Sequence, residues 1–470
     1  MNFSEYLESL QGKKIVVIGA GVSNLPWIEL LCGMKYDVTV CDKRTEETMG
    51  ELYEKLTGMG AKLQLGETYL EHLEPCDVIY RTPGLLPLNP YLQAAMAHGV
   101  TVTSEMEVFF RLCPCKTIAI TGSDGKTTTS TVISELLKAS GKTVHLGGNI
   151  GRPLLCDIPK MSADDVCVLE LSSFQLHSMT CKPNVAVVTN VSPNHLDVHP
   201  DFEDYKNAKK SVYRLQDAGD RLVVNGDNAI TDRFGDEAKS QVYRFSRQKP
   251  VQRGAYYKDG KIWFTDGKTT RELIDIDEIK IPGMHNVENY MAAYCAVEGL
   301  VSDETFRQVA RTFGGVEHRL ELIRELHGVK YINDSIASSP TRALAGLRSF
   351  KPEERLILIV GGHDKHVPFD ELAEEICTRC KALFICGETA EKIADAVKHA
   401  PSYTENFPMF VNEDWTENVL AASRFAQPGD TVLLSPACSS FDFFPNFMAR
   451  GNLFRKIVME LKRYGAAHNN

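Results

Sequence analysis

Residues 121–129 read Thr-Gly-Ser-Asp-Gly-Lys-Thr-Thr-Thr and follow the apolar run Thr117-Ile-Ala-Ile120. An apolar strand, a glycine-rich turn and a Lys-Thr pair opening a helix make a grip for phosphate. Backbone N–H groups and the helix N-terminus face phosphate oxygens, Lys126 neutralises their charge, and the Thr127 hydroxyl can reach Mg²⁺. The longer spacing, with four residues between the glycines, fails because position 120 is Ile. The match is to the shorter form, Gly122 to Thr127. Gly122, Ser123, Asp124, Gly125, Lys126, Thr127 and Thr128 are therefore the candidate nucleotide contacts.

Other chemistry-bearing residues stand where further strands end. Glu170 closes Val-Cys-Val-Leu-Glu, and a carboxylate there can reach Mg²⁺ directly or through water. His195 and Asp197 follow the strand expected at Val185–Thr189, with the imidazole set for a metal or a substrate. Lys206, Lys209 and Lys210 share a helical segment. Lys206 and Lys210 read as a solvated face, and sequence physics alone does not single out Lys209. Asn286 and Asn289, one turn apart, could offer amides to an adenine edge; helix capping is the competing use of Asn286. Arg319, after Gly314-Gly315, suits the charge that develops in phosphoryl transfer. Asn333-Asp334-Ser335 and the run Ser435 to Asp442 each follow a strand, at the loop end that ligands use.

The elements that must position these groups read as alternating strands and helices. Residues 1–112 form one α/β unit with strands at Lys14–Gly19, Val38–Cys41 and Val78–Tyr80. Gly19-Ala-Gly21 follows the first strand, but Asn24 stands where a dinucleotide fingerprint wants its third glycine. A redox dinucleotide is therefore not expected, while a nucleotide head group at these strand ends is. Asp42 follows the second strand as a ribose-binding acid would, and Arg44 is either a phosphate partner or a solvated turn residue. Cys113-Pro-Cys-Lys116 marks a boundary, giving a second domain over 113–313. Within it a β-rich stretch over 242–282 carries hairpin signals at Lys258-Asp-Gly260 and Thr265-Asp-Gly267. Strands at 329–332, 356–360, 382–386 and 431–434 alternate with helices and predict a third, parallel α/β domain over 314–470.

Bulk properties bound the class. A chain of 470 residues suits about three domains. A net charge of −10 argues against nucleic-acid binding, which needs a basic surface. No apolar stretch reaches membrane-spanning length, and Met1 to Leu10 lacks the basic region of an export signal. Thirteen cysteines without a disulfide rhythm read as reduced core thiols, and the lone pair Cys377/Cys380 lacks the second pair that zinc wants.

Taken together, these segments resemble the Mur ligases of peptidoglycan synthesis over essentially the whole chain. The most specific pieces are Glu170-Leu-Ser-Ser-Phe-Gln-Leu176, Gly148-Asn-Ile-Gly151, and Ser435 to Asp442 with Asn446-Phe447 and Arg450-Gly451. The first and last are similar to the D-glutamate-adding branch. The short phosphate loop is typical of ligases that make peptide-like bonds with ATP. The resemblance implies a Rossmann-like first domain, a central P-loop ATPase-like domain with a small β-rich part, and a Rossmann-like third domain. It implies a cytoplasmic, monomeric enzyme that joins D-glutamate to UDP-N-acetylmuramoyl-L-alanine with ATP and two Mg²⁺ ions. Thr127, Glu170, His195 and a carbamylated Lys209 would serve the metal. Asn286, Asn289, Arg319 and Asp334 would meet the adenosine part, and Asn149 and His195 the nucleotide sugar. Gly21, Val22, Ser23, Asp42, Arg44, Thr82 and Gly84 would hold the uridine diphosphate. Ser338, Lys365, Ser440 and Phe447 match the positions that receive D-glutamate. The family commonly carries Lys after Asp-Ser and Thr two residues later; here Ile336 and Ser338 stand instead, with Arg342, Lys365 and His366 as cations nearby. A sibling or folylpolyglutamate-type ligase is the alternative; a dehydrogenase or nucleotide sensor would be of another class.

Overall fold

The computed structural model describes residues 1–71, 73, 75–193, 199–364 and 367–465. His195 and Lys365 lie outside the described residues. The chain divides into two compact bodies, one of Met1–Ile276 with Val287–Val309, the other of Asp277–Asn286 with the chain from Ala310.

Among the described residues, the first body contains two sheets. In the smaller, the strands lie in the order Lys62–Leu65, Asp37–Asp42, Lys14–Ile18, Val78–Tyr80, Thr101–Thr103, all parallel. The central strand is covered on both faces, which explains its unbroken run Ile15-Val-Val-Ile18. Trp27 seals one face against Phe3, Tyr6 and Tyr80. The chain reverses its direction of travel between the Lys14–Ile18 and Val78–Tyr80 strands. The loops Gly19–Ser23 and Thr82–Gly84 therefore flank the crevice where such sheets bind ligands.

The larger sheet has nine strands, with Lys116–Thr121 between Val185–Val188 and Val166–Glu170 and with Val144–Gly148 at the edge. Beyond Val185–Val188 come Arg221–Asn225 and Gln241–Ser246, then an antiparallel run Gly254–Lys258, Lys261–Thr265 and Thr270–Asp275. The hairpin signal at Lys258-Asp-Gly260 is realised. Asp259 and Gly260 both take positive φ, 51° and 80°, as a two-residue turn with the twist of its strands requires. The edge strand Val144–Gly148 escaped the sequence reading because its apolar side chains are few.

The second body's sheet runs Glu321–Leu326, Val329–Asn333, Asp430–Leu434, Arg355–Val360, Cys380–Cys386, Met409–Asn412. It is parallel except at one edge, which corrects the wholly parallel expectation. His327-Gly328 takes positive φ at both residues, and so tight a turn can join only antiparallel neighbours. Among the described residues, no helix is long and apolar enough to cross a membrane.

Candidate active site

Three strand ends of the nine-stranded sheet converge. The loop after Lys116–Thr121 is clasped by its neighbour: Ser123 N–H donates to the Asn190 carbonyl at 2.9 Å, and Asp124 N–H to Asn190 Oδ1 at 3.0 Å. Gly122 has φ 149°, and a Cβ there would stand 1.9 Å from Thr189 Oγ1, so only glycine fits. Gly125 ends the loop as the N-cap of helix Lys126–Ala139, and, being glycine, caps it with no side chain. The first-turn N–H groups and the helix dipole point at the loop, as anion binding requires. Lys126 folds back with Nζ 3.0 Å from the Gly122 carbonyl and 2.9 Å from that of Ser123. Thr127 is half-buried and Thr128 buried in the first turn. Asn289, in helix Met284–Val297, accepts from Thr129 Oγ1 at 3.2 Å, which puts its amide against the phosphate loop.

Glu170 is buried at the adjacent strand end. Its Oε1 accepts from Asn149 Nδ2 at 2.9 Å, whereas Oε2 has no hydrogen-bond partner among the described residues. The Gly148-Asn149 turn is fixed to that strand through Asn149 N–H and the Glu170 carbonyl, 2.7 Å apart. A buried carboxylate oxygen without a donor is costly unless a cation meets it. Mg²⁺ takes oxygen ligands, so the Glu170 carboxylate and Thr127 hydroxyl fit such an ion.

Lys209 completes the group. It sits in helix Phe202–Lys210, 1% exposed, with Nζ 2.8 Å from the Gly122 carbonyl and 4.5 Å from the centre of the Tyr205 ring. Tyr205 OH in turn meets Ser123 Oγ at 3.0 Å. Burial, then the charge of Lys126, holds the Lys209 ammonium well below its usual pKa. The side chain that sequence could not separate from Lys206 and Lys210 is thus the buried one of the three.

In the five-stranded sheet, Asp42 accepts from the Ala20 N–H at 2.8 Å and takes a bidentate contact from Arg44 at 2.9 and 2.8 Å. Burial raises the Asp42 pKa, but the Arg44 and backbone donors outweigh it and bring it down to about 2. Gly21 and Val22 are exposed, Ser23 and Thr82 half-buried, and Gly84 exposed around the crevice. Two residues there have roles the sequence did not show: Asn24, read only as a missing glycine, and Arg81. Asn24 is buried and donates to the Ile18 and Gly19 carbonyls at 2.9 and 3.2 Å. Arg81, 1% exposed, spans the Thr82, Pro83 and Leu85 carbonyls and reaches Phe174 O and Ser178 Oγ. The charged residue at a strand end before Thr-Pro-Gly was the available signal for Arg81.

In the second body Asp334 is buried, with Oδ2 accepting from Ser435 Oγ at 2.8 Å and Oδ1 from Leu320 N–H at 3.2 Å. Burial pushes its carboxyl up to about 7, against the opposing pull of Ser435 and Arg319. Arg319 is half-buried, its Nε without a hydrogen-bond partner among the described residues. Asn286 donates to the Pro282 carbonyl at 2.5 Å. Ser338 is half-buried, and the Ser440 carbonyl accepts from Phe444 N–H at 2.7 Å. The Phe447 carbonyl accepts from Ser335 Oγ at 2.8 Å. Arg450, which the sequence reading did not place in the site, organises these loops. Its guanidinium donates to Ser335 Oγ and to the Ser335, Cys438 and Ser439 carbonyls at 3.0–3.2 Å.

Comparison with known proteins bears on this geometry. Residues 13–104 match the family described as Mur ligase MurD-like, N-terminal domain; residues 120–297 match the Mur ligase middle domain; residues 318–438 match the Mur ligase, glutamate ligase domain. A protein of Acetivibrio thermocellus named UDP-N-acetylmuramoylalanine–D-glutamate ligase is 49% identical over 98% of this chain and 99% of its own. One of the same name from Clostridium novyi is 47% identical over 98% and 99%. Among solved structures, the UDP-N-acetylmuramate-alanine ligase of Thermotoga maritima aligns over 97% of this chain and 100% of its own, with TM-score 0.58 and 17% identity. The E. coli FolC complex with DHPP and ADP aligns over 76% and 92%, with TM-score 0.54 and 16% identity. These two share the fold.

Proposed function

Because the chain belongs to the Mur ligase family, we propose that it is an ATP-dependent ligase that joins D-glutamate to UDP-N-acetylmuramoyl-L-alanine for peptidoglycan synthesis. The observation that carries this reading is the end-to-end similarity to relatives bearing that activity in their names. The geometry around Gly122, Glu170 and Lys209 supplies the chemistry it needs.

A carboxylate is a poor electrophile, so the alanyl carboxylate first attacks the γ-phosphorus of ATP, forming an acyl phosphate and releasing ADP. The amine of D-glutamate then attacks that carbonyl and phosphate leaves. The first-turn N–H groups after Gly125, with Lys126, hold the β- and γ-phosphates and offset the charge that grows as the phosphoryl group moves. The Lys126 ammonium, now on the Gly122 and Ser123 carbonyls, would turn to phosphate oxygens. Thr127, Glu170, His195 and Lys209 would hold Mg²⁺, which would neutralise phosphate charge and polarise the γ-phosphoryl group. Glu170 offers its unpaired Oε2, and Asn149 orients that carboxylate through Oε1.

Lys209 serves as a carbamate. Its lowered pKa favours the neutral amine, whose nitrogen lone pair can add to CO₂ with loss of one N–H proton. The product brings an anion where an ammonium would repel the metal. Asn286, Asn289, Arg319 and Asp334 hold the adenosine part. The crevice of Gly21, Val22, Ser23, Asp42, Arg44, Thr82 and Gly84 takes the uridine diphosphate. Ser338, Lys365, Ser440 and Phe447 receive D-glutamate.

The test is phosphate release from ATP and UDP-N-acetylmuramoyl-L-alanine across a panel of D- and L-amino acids. Release with D-glutamate alone is expected. Release with another amino acid and not with D-glutamate would overturn the assignment.

A further inference from the structure

Three thiols that the phosphate site does not use meet in the first body. Cys113 follows helix Glu105–Leu112, Cys115 precedes strand Lys116–Thr121, and Cys167 lies in the neighbouring strand Val166–Glu170. Their sulfurs lie within 4.8 Å of one another, and those of Cys113 and Cys167 are 3.6 Å apart. The three are unequal. Cys167 has no exposure and Cys115 is 7% exposed, whereas Cys113 is only half-buried. A partly exposed cysteine thus places its sulfur against that of a fully buried one.

We propose that Cys113 and Cys167 form a peroxide-sensitive dithiol, in which a hydroperoxide oxidises Cys113 and Cys167 resolves it to a disulfide. In the first step the Cys113 thiolate attacks the peroxide: an S–O bond forms and the O–O bond breaks. The oxygen that leaves takes a proton, giving water from H₂O₂ or an alcohol from an alkyl hydroperoxide. In the second step the Cys167 sulfur attacks the Cys113 sulfur of the sulfenic acid. The S–S bond forms, the S–O bond breaks, and hydroxide departs with the Cys167 proton as water. Two thiols and one hydroperoxide are consumed.

Charge distribution agrees with these separate roles. The contact with Cys167 lowers the Cys113 thiol's pKa, which favours its thiolate. The same contact, with burial, pushes Cys167 far up, and burial pushes Cys115 up to about 12. The bond would tie the segment entering the phosphate-loop strand to the strand that ends in Glu170.

The test uses the full chain, reduced and then treated with one equivalent of H₂O₂. Remaining thiols are alkylated and the protein is digested without reductant for mass spectrometry. The expected main product is a Cys113–Cys167 cross-linked peptide, with two of the thirteen thiols lost per oxidised chain and full reversal by dithiothreitol. Cys113 should react about tenfold or more faster than the other cysteines. Cys167→Ser should leave a Cys113 sulfenic acid that dimedone labels, and Cys115→Ser should leave the cross-link intact. Melting curves identify any variant that fails to fold, in which case the wild-type peptide map decides. A Cys113–Cys115 product, or oxidation spread evenly over the cysteines, would overturn the proposal.

Discussion

Lys209 and Arg450 are each 1% exposed, and their surroundings are opposite. Lys209 has one carbonyl at 2.8 Å and a hydroxyl at 3.5 Å, and it shares that carbonyl with a second cation, Lys126. Arg450 has three carbonyls and a hydroxyl arranged around its fork. Burial brings Arg450 down to about 10, so it stays charged near neutral pH, while Lys209 falls well below its usual value. A buried cation with matched acceptors builds architecture; one left short of acceptors is poised for chemistry.

The largest effects should come from breaking the poised side. Lys126→Ala should cut ATP-dependent phosphate release by on the order of 10²–10³-fold or more, because it removes the fixed charge at the phosphates. Lys209→Arg should fail as badly as Lys209→Met, since arginine keeps a cation but cannot become a neutral amine. Phosphate-release assays check both; an active Lys209→Arg enzyme would erase the contrast with Arg450.

On the architectural side, Arg450→Met should destabilise the protein by about 3–5 kcal/mol, because it strands several buried carbonyls at once. Arg450→Lys should recover only part of that, since an ammonium cannot reproduce the planar fork. Urea unfolding measures both. A small loss in Arg450→Met would mean that the loops around Ser335 and Ser439 are held by something else.

A smaller effect separates the two cations by pH. The folded-state pKa of Lys209 lies below its unfolded value of 10.5. Between those values the unfolded chain binds more protons, so stability rises with pH through that window and the cost is present below it. Lys209→Met deletes this cost. The variant should be about 1–2 kcal/mol more stable than the parent at pH 7, with the gap closing as pH approaches 10.5. Urea titrations at several pH values check it, and a Lys209→Met protein less stable at pH 7 would contradict the depressed pKa.

The sequence was most legible where function rests on backbone. The phosphate loop needs glycines, an apolar strand and a helix start within a few residues, and all leave local marks. The Glu170 strand end was legible for the same reason. Lys209, Arg81 and Arg450 were not, because their meaning lies in burial and in acceptors supplied by distant segments. Arg450 meets Ser335 and Cys438 from separate stretches of chain, and no spacing rule encodes that. The antiparallel edge Glu321–Leu326 was missed because His327-Gly328 is an uncommon pair for a two-residue turn.

Asn24 joins both lessons and gives the smallest test. Its position was read as a missing glycine, a subtraction from a dinucleotide fingerprint. In place, its amide nitrogen bridges the Ile18 and Gly19 carbonyls, so the side chain fills the gap that a glycine would let helix and strand close. It is thus a miniature of Arg450, a buried donor matched to strand-end carbonyls. Asn24→Gly should restore the fingerprint's residue but lose those bonds, costing about 1–2 kcal/mol in urea unfolding. It should also gain no affinity for NAD in a fluorescence titration, because the Asp42 carboxylate that would meet a ribose stays engaged by Arg44. A variant that bound NAD, or that was as stable as the parent, would mean that Asn24 merely occupies space.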